Sequence, residues 1–170
     1  MATPKVLVDY DWFADGVGKL GLVPKIKLPD FEKVMEEYNA GGMAAAIEIF
    51  MGMIELQTMT VTLAEPDAQV LKLFKFTNGE EKQFTFRSAL SGRGRGSEEG
   101  FVIRCQAQLK KFSMEEIERK KLPSCDFELS LVTFKMERNG SVIFDVDAEG
   151  GRLIVDGVDL RAGINDLIGN

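Results

Sequence analysis

Apolar and polar residues alternate with a period of two along much of the chain. In FVIRCQAQLKKF (101–112) the apolar residues alternate with arginine, glutamine and lysine, and in QTMTVTLA (57–64) they alternate with threonine. The segments AAIEIFMGM (45–53) and EKQFTFRSAL (81–90) follow the same pattern. Alternation over such lengths is typical of strands with one buried face, and sheets with a polar face are commonly antiparallel. The chain is therefore predicted to be mainly β, with antiparallel strands.

Two dipeptides predict tight hairpins. Asn139-Gly140 and Asp15-Gly16 each lie between apolar runs, and two-residue hairpin turns favour these pairs because both central residues need positive φ. In the segment before Asn139-Gly140, the apolar phase changes within residues 127–136. Either a β-bulge interrupts that strand, or the middle of the strand is covered on both faces.

One segment between the strands predicts a helix over about 66–76. Pro66 suits a first helical turn, Asp67 favours the positive end of the helix dipole, and Asn78-Gly79 ends the pattern. Its buried stripe is predicted from helical spacing and consists of Val70, Leu73, Phe74 and Thr77. A second, short helix is predicted near the C-terminus, beginning at Asp159 and weakened by Gly163.

The segment PDFEKVMEEYN (29–39) is ambiguous between helix and strand. Phe31, Val34, Met35 and Tyr38 have helical spacing, and Asp30 could cap a helix. The local pattern favours a helix. The residues from Asn39 to Ala46 are mostly small and include Gly-Gly before an apolar run. This pattern indicates a flexible loop followed by a strand that contacts another surface.

Composition and charge mainly exclude classes of function. The chain has 170 residues, which suits a single domain over 1–170, and its net charge of −6 argues against tight binding of nucleic acid. Histidine is absent, which removes the commonest general base and metal ligand. No membrane span or secretory signal is recognisable, so a soluble protein made in a cytoplasm, without cofactor or metal, is expected.

Three sets of residues resemble known functional sites, but their context does not support those functions. SGRGRGSEEG (91–100) resembles a phosphate loop but lies between two strands, so an ordinary loop is predicted. DVDAEGGRLIVD (145–156) resembles a calcium loop, but its flanks favour strands and a Gly-Gly turn. Asp145 and Asp147 could be paired catalytic carboxylates, although a solvated acidic face is the simpler interpretation. Cys105 is predicted to be a core residue, and a disulfide with Cys125 has no support.

The order of these segments resembles the major tail tube protein family of contractile-tailed bacteriophages and R-type bacteriocins. The similarity lies in the Asp-Gly hairpin, in LPDFEKVMEEYNAGGMAAAIEIFMGM (28–53), in the helix start at Pro66-Asp67, in the Arg-Asn-Gly turn and in IVDGVDLRAGINDLIGN (154–170). The chain departs from the family pattern at Gly150-Gly151, at its last residue Asn170 and in the loop 91–100.

The resemblance implies a tail-tube fold, a β-sandwich or barrel-like subunit with one packed helix, in which residues 30–38 are extended. It also implies a structural virion protein and not an enzyme. Six copies would form a ring, and stacked rings would form the hollow tube through which DNA is ejected. The implied partners are further copies of the chain, the tail sheath, the baseplate or tube initiator, the tape measure and the tail terminator. DNA would pass without specific binding, and no membrane is involved.

Within that framework, two sets of residues are candidates for function. The hypothesis for contacts between subunits or rings names Asn39, Ala40, Gly41, Gly42, Met43, Ala44, Ala45, Ala46 and Ile47. The hypothesis for the lumen names the polar strand positions Thr58, Thr60, Thr62, Gln106 and Gln108. An acidic excess would give a bore that repels phosphates weakly.

Two other classes of function stay open at this point. A small ligand-binding β-barrel would be a monomer with a closed apolar cavity. A carboxylate-based enzyme would depend on Asp145 and Asp147.

Overall fold

The computed structural model describes residues 4–56, 58–75, 77, 79–94 and 96–169. The described residues form mainly strands, and the two helices are short. The strands are β1 (Val6–Ala14), β2 (Val17–Gly18), β3 (Lys25–Lys27), β4 (Phe31–Tyr38), β5 (Ile47–Leu56), β6 (Met59–Leu63), β7 (Lys82–Ser91), β8 (Glu99–Met114), β9 (Cys125–Arg138), β10 (Ser141–Asp147), β11 (Arg152–Val155) and β12 (Val158–Asp159). The helices are α1 (Ala68–Lys72) and α2 (Ala162–Ile168).

Ten of the strands form one antiparallel sheet that divides at β9. The main path runs β12-β11-β10-β9-β8-β7-β1-β2. The N-terminal part of β9 also pairs with β6, which in turn pairs with β3. Within the described residues the sheet does not close into a barrel. β4 and β5 form a separate two-stranded sheet.

Both predicted hairpin turns are confirmed. Asp15 and Gly16 have φ of 49° and 82°, and Asn139 and Gly140 have φ of 49° and 80°. Positive φ at both central residues is the type I′ geometry that suits the right-handed twist of paired strands. The turns join β1 to β2 and β9 to β10.

The phase change in β9 is a β-bulge. Gln106 of β8 faces Thr133, and the next residue, Ala107, faces Leu131. Val132 is the extra residue, and its carbonyl accepts a hydrogen bond of 3.0 Å from the backbone N–H of Ala148. The bulge lets Leu131 and Phe134 both reach the apolar interior.

The core lies on the inner face of the large sheet. Trp12 and Phe84 stack there with ring centroids 5.6 Å apart, and Val70 of α1 is fully buried beside them in the same apolar cluster. Cys105 and Cys125 are buried, free thiols. Burial raises the pKa of Cys105 to about 12, so Cys105 behaves as a core residue, as predicted.

The helix predicted over about 66–76 is present but shorter. Asp67 is its N-cap and accepts hydrogen bonds from the backbone N–H groups of Gln69 and Val70, and the helix ends after Lys72. The N–H of Leu73 bonds to the carbonyl of Val70 at 3.0 Å, which tightens the last turn and ends the α-helix. Thr77 is exposed, so its predicted place in the buried stripe is wrong; Asn78 lies outside the described residues.

The two remaining helix predictions have different outcomes. The C-terminal helix is confirmed, although it begins at Ala162; it ends at Ile168, and its C-cap Gly169 has φ of 76°. Residues 31–38 form strand β4, so the helical reading of that segment is wrong and the extended form implied by the resemblance is correct. Pairing with β5 supplies the backbone hydrogen bonds that decide between the two. Neither helix of the described chain is long and apolar enough to cross a membrane.

A buried lysine joins the first hairpin to α1. The Nζ of Lys19 lies 2.8 Å from the Oδ2 of Asp67 and 2.8 Å from the Oε1 of Gln69, and only 5% of the Lys19 side chain is exposed. Burial opposes ionisation of Asp67, but hydrogen bonds from Lys19 and from the N–H groups of Val70 and Gln69 outweigh burial and lower its pKa. The pair therefore stabilises the fold while Asp67 is ionised.

We predict that Lys19→Met lowers the free energy of unfolding by about 2–4 kcal/mol, because it leaves a partly buried carboxylate without its cation. Since the pKa of Asp67 is lowered on folding, its contribution is complete above the ordinary value of 3.8 and is lost as pH falls through the lower folded value. Urea denaturation at neutral and acidic pH should show the difference from wild type shrinking in acid. Lys110→Met, at an exposed site, is the control; a pH-independent difference would contradict the assignment.

Candidate assembly surface

The β4–β5 hairpin (residues 31–56) exposes an unusual amount of apolar side chain. Eight of its large apolar residues are between 38% and 52% exposed. They are Phe31, Met35, Tyr38, Ile47, Ile49, Phe50, Met51 and Met53. Exposed apolar area of this extent marks a surface that another molecule covers.

The register of the hairpin places apolar and acidic residues on both of its faces. Met35 is paired with Phe50 across the two strands, and their side chains lie on one face of the hairpin. Tyr38 is paired with Ile47, and their side chains lie on the other face. Five glutamates and one lysine are distributed over the same two strands. A two-stranded hairpin without a buried face is only marginally stable in water. Contacts with another molecule are therefore expected to stabilise it.

The base of the hairpin is anchored to the inner face of the large sheet. The ring of Phe31 lies 5.0 Å from that of Phe134 and 5.5 Å from that of Phe144. Farther along, the guanidinium of Arg161 donates to the carbonyl of Gly52 at 3.5 Å. Gly52 has φ of 74° and lies where the β4–β5 register shifts. The hairpin thus crosses β10 and β11 and reaches α2.

The predicted contact residues Asn39 to Ile47 occupy the tip of this hairpin. The N–H of Met43 bonds to the carbonyl of Ala40 at 3.1 Å, and Gly42 has φ of 91°. No heavy atom lies within 4 Å of a Cβ built on Gly41 or Gly42. The structure therefore brings these nine residues together on one open loop, with Ile47 beginning β5.

The predicted lumen residues share the outer face of the large sheet. Thr60 and Thr62 lie opposite the buried residues of β6, and Gln106 and Gln108 lie opposite those of β8. Thr58 is half-buried just before β6 begins. The structure therefore brings the strand members of this set onto one polar face, which extends over β6, β9, β8 and β7.

Ion pairs neutralise several of the basic residues on this outer face. Arg104 donates to Glu137 at 2.6 Å, and the Lys135 ammonium lies 3.2 Å from the same carboxylate. The hydrogen bond from Arg104 lowers the pKa of Glu137, and Lys135 adds to the effect. Lys111 pairs with Glu128 at 3.4 Å. The face is thus polar with paired charges, and the acidic excess predicted for it is modest.

Asp145 and Asp147 are engaged in structural contacts. Asp145 accepts from Arg152 at 3.1 Å, and Asp147 accepts from the backbone N–H of Gly150 at 2.8 Å. The second contact closes the Gly-Gly turn between β10 and β11. Within the described part of the chain, no group of three acidic, cysteine or histidine residues could hold a metal ion.

The sequence patterns missed two exposed apolar regions. Val6, Leu7 and Val8 are exposed at the start of β1, where a register shift falls between Leu7 and Asp9. In α2, Leu167 and Ile168 are exposed as well. Three consecutive apolar residues at 6–8 break the alternation, and that break was the available signal for an exposed surface.

A family model described as phage tail tube protein FII matches residues 4–169. The chain belongs to the phage tail tube protein FII family. The family is one of structural tail tube proteins and not of enzymes. The family resemblance stated from the sequence is confirmed.

Similarity to individual proteins is more limited than the family match. The chain is 34% identical to the major tail tube protein of Serratia phage KSP20 over 53 residues, which is 31% of each chain. The tail tube chain also has the fold of Hcp1 from Salmonella typhimurium, with a TM-score of 0.53 and 14% identity over 88% of this chain and 100% of that chain.

A second structural neighbour comes from a cryo-EM structure of the anti-feeding prophage baseplate, symmetrised sixfold. The TM-score is 0.52 at 9% identity, and the match covers 81% of this chain and 97% of the other. At such identities these likenesses establish the fold, and they confirm the mainly antiparallel tail-tube architecture.

We predict that Phe31→Ala loosens the hairpin of this tail tube protein. The change removes two aromatic contacts at the anchored base and should lower stability by about 1–2 kcal/mol. Hydrogen exchange of backbone amides should become at least about tenfold faster in residues 31–38 and 47–56, as the free energy of local opening falls by a similar amount. Tyr38→Ala, near the tip, is the control and should leave exchange at the base unchanged. Equal acceleration throughout the large sheet would contradict a local anchor.

Proposed function

We propose that this protein forms six-membered rings that stack into the hollow inner tube of a contractile tail. The observation that carries the proposal is the β4–β5 hairpin, because the described chain leaves eight of its large apolar side chains 38% to 52% exposed. Membership of the tail tube family supports self-assembly as the source of that cover. The number six rests on the resemblance to phage and bacteriocin tubes.

Head-to-tail contacts suit both levels of this assembly. A heterologous contact produces a ring when its rotation closes, and it produces a filament when it does not. The open ends of the large sheet, at β2 and β12, and both strands of the hairpin offer unpaired backbone groups. Neighbouring copies would satisfy these groups, which proteins seldom leave bare. The tip, Asn39 to Ile47, would then contact the next subunit or ring.

The outer polar face of the large sheet would line the lumen. Thr60, Thr62, Gln106 and Gln108 offer hydrogen-bonding groups without charge. Nearby, Arg104 and Lys111 are held in ion pairs. A net charge of −6 leaves little attraction for phosphates. DNA would slide through such a bore during ejection into the host without being bound.

The remaining assignments follow from the tube. The whole chain, 1–170, would act as one structural unit that is synthesised in the cytoplasm of the host bacterium. Besides its own copies it would contact the sheath, the baseplate or tube initiator, the tape measure and the tail terminator. The structural neighbour from a baseplate assembly supports the association with baseplate components.

Electron microscopy of the concentrated protein, alone and with a tail initiator complex, tests the proposal. We expect rings or hollow rods of uniform width. Gly42→Val should reduce their number at least about tenfold, because a β-branched residue is strained at φ of 91° and alters the tip. The thermal unfolding temperature should change little, since the tip is open.

Gly21→Val is the matched control. Gly21 also has positive φ and open space around its Cβ position, but it lies outside the hairpin. Assembly should survive this change. A protein that remains monomeric under both conditions, or a Gly42→Val variant that assembles as wild type does, would contradict the proposal.

A further inference from the structure

Methionine is concentrated in the β4–β5 hairpin. Four of the eight methionines of the chain lie within residues 31–56. They are Met35 of β4, Met43 in the tip, and Met51 and Met53 of β5. Met35, Met51 and Met53 are 39%, 50% and 52% exposed, whereas Met59 of β6 is 1% exposed. The free subunit therefore presents three methionine side chains to water on the surface that assembly is proposed to cover.

The remaining described methionines have different surroundings. Met43 is half-buried, and its sulfur accepts a hydrogen bond of 3.3 Å from the backbone N–H of Ala40. Met136 is partly buried against the core. Met114, at the end of β8, is 47% exposed but lies outside the hairpin. Exposure to water, and not the hairpin alone, therefore distinguishes the methionines that a dissolved reagent can reach, and Met114 is a matched comparison.

Oxidation would change the polarity of this surface and leave its shape largely intact. A thioether is apolar and adaptable, whereas a sulfoxide is polar and accepts hydrogen bonds. The neighbours of Met51 and Met53 along β5 are Phe50, Gly52 and Ile54, none of which has a polar side chain. Water satisfies a sulfoxide in the free subunit. A covering molecule removes that water, and a polar group without a partner opposes burial.

We propose that Met35, Met51 and Met53 form an oxidation site, at which a peroxide converts the subunit into a folded form that does not assemble. This inference rests on the proposed function and adds a chemical control to it. The thioether sulfur attacks one oxygen of hydrogen peroxide, so that an S–O bond forms as the O–O bond breaks. The sulfur loses two electrons, the hydrogen on the transferred oxygen passes to the departing hydroxide, and water leaves. A sulfoxide reductase reverses the change with two thiols, which become a disulfide as water is released.

The site acts on the subunit before assembly and not on the finished tube. In the free subunit the three side chains are accessible, and a hydrated sulfoxide leaves the core unchanged. In a tube the neighbouring molecule that covers the hairpin also excludes the peroxide. A peroxide therefore stops subunits from entering a tube, while a tube formed earlier resists it.

Limited treatment of the free, full-length protein with hydrogen peroxide tests the site, with mass spectrometry of its peptides as the readout. Met35, Met51 and Met53 should oxidise at least about tenfold faster than Met59, since susceptibility follows exposure. The thermal unfolding temperature of the oxidised protein should equal that of the untreated protein. Oxidation of Met59 at the same rate, with a lowered unfolding temperature, would place the damage in the core and overturn the inference.

Electron microscopy of the oxidised protein with a tail initiator complex measures the effect on assembly. We expect at least about tenfold fewer rings or rods than from untreated protein, because each buried sulfoxide opposes the contact. Treatment with reductases for both sulfoxide epimers and a dithiol should restore the yield. Oxidised protein that assembles as well as untreated protein does, or a yield that the reductases leave low, would overturn the inference.

Leucine variants assign the effect to the hairpin. Leucine has a similar volume and no sulfur, so Met35→Leu with Met51→Leu and Met53→Leu should retain its assembly after peroxide. Met114→Leu is the matched control and should lose assembly after peroxide as wild type does. Equal loss in the triple variant, or protection by Met114→Leu alone, would place the sensitive residue elsewhere and overturn the inference.

The order of addition gives a test that needs no variant. When rods are assembled first and then treated, Met35, Met51 and Met53 should oxidise at least about tenfold more slowly than in the free subunit, and the rods should persist. Equal rates in rods and free subunits would overturn the inference and leave the proposed function standing. Untreated protein that forms neither rings nor rods would contradict the proposed function itself, and the inference with it.

Discussion

The antiparallel pairing of β8 with β9 is the interaction on which the rest of the molecule depends. β9 pairs with β8 along its length, with β6 along its N-terminal part and with β10 along its C-terminal part. The bulge at Val132 lets one strand serve both partners while Leu131 and Phe134 stay in the core. This arrangement separates the sheet into an apolar inner face and a polar outer face. Both candidate surfaces of the tail tube protein follow from that separation.

The described chain covers only part of the inner face of the large sheet. The base of the hairpin covers part of β9 and β10 through Phe31. The part near β1 and β7 is left as an apolar groove, with Leu7 and Phe86 in its walls. The hairpin beyond its base has no buried face of its own. In the proposed tube, a neighbouring copy would cover the exposed apolar side chains of the hairpin.

Local signals in the sequence predicted most of the fold. Period-two alternation located the long strands, and Asn139-Gly140 and Asp15-Gly16 located the turns because their chemistry determines φ. The extent of α1 was overestimated, since its end depends on 3₁₀-type hydrogen bonds at Leu73 that helical spacing does not reveal. Residues 31–38 appeared helical because the partner strand β5, which decides their conformation, lies across the small-residue loop. The apolar groove could not be predicted, because it is formed by residues from six strands that only the topology brings together.

The central claim is that assembly covers the β4–β5 hairpin with a neighbouring copy. A cryo-EM map of the assembled protein tests this most directly, since it locates residues 31–56 relative to every adjacent subunit. The account predicts that Tyr38, Ile47 and Ile49 lie against another copy. A map in which the hairpin faces solvent would contradict it.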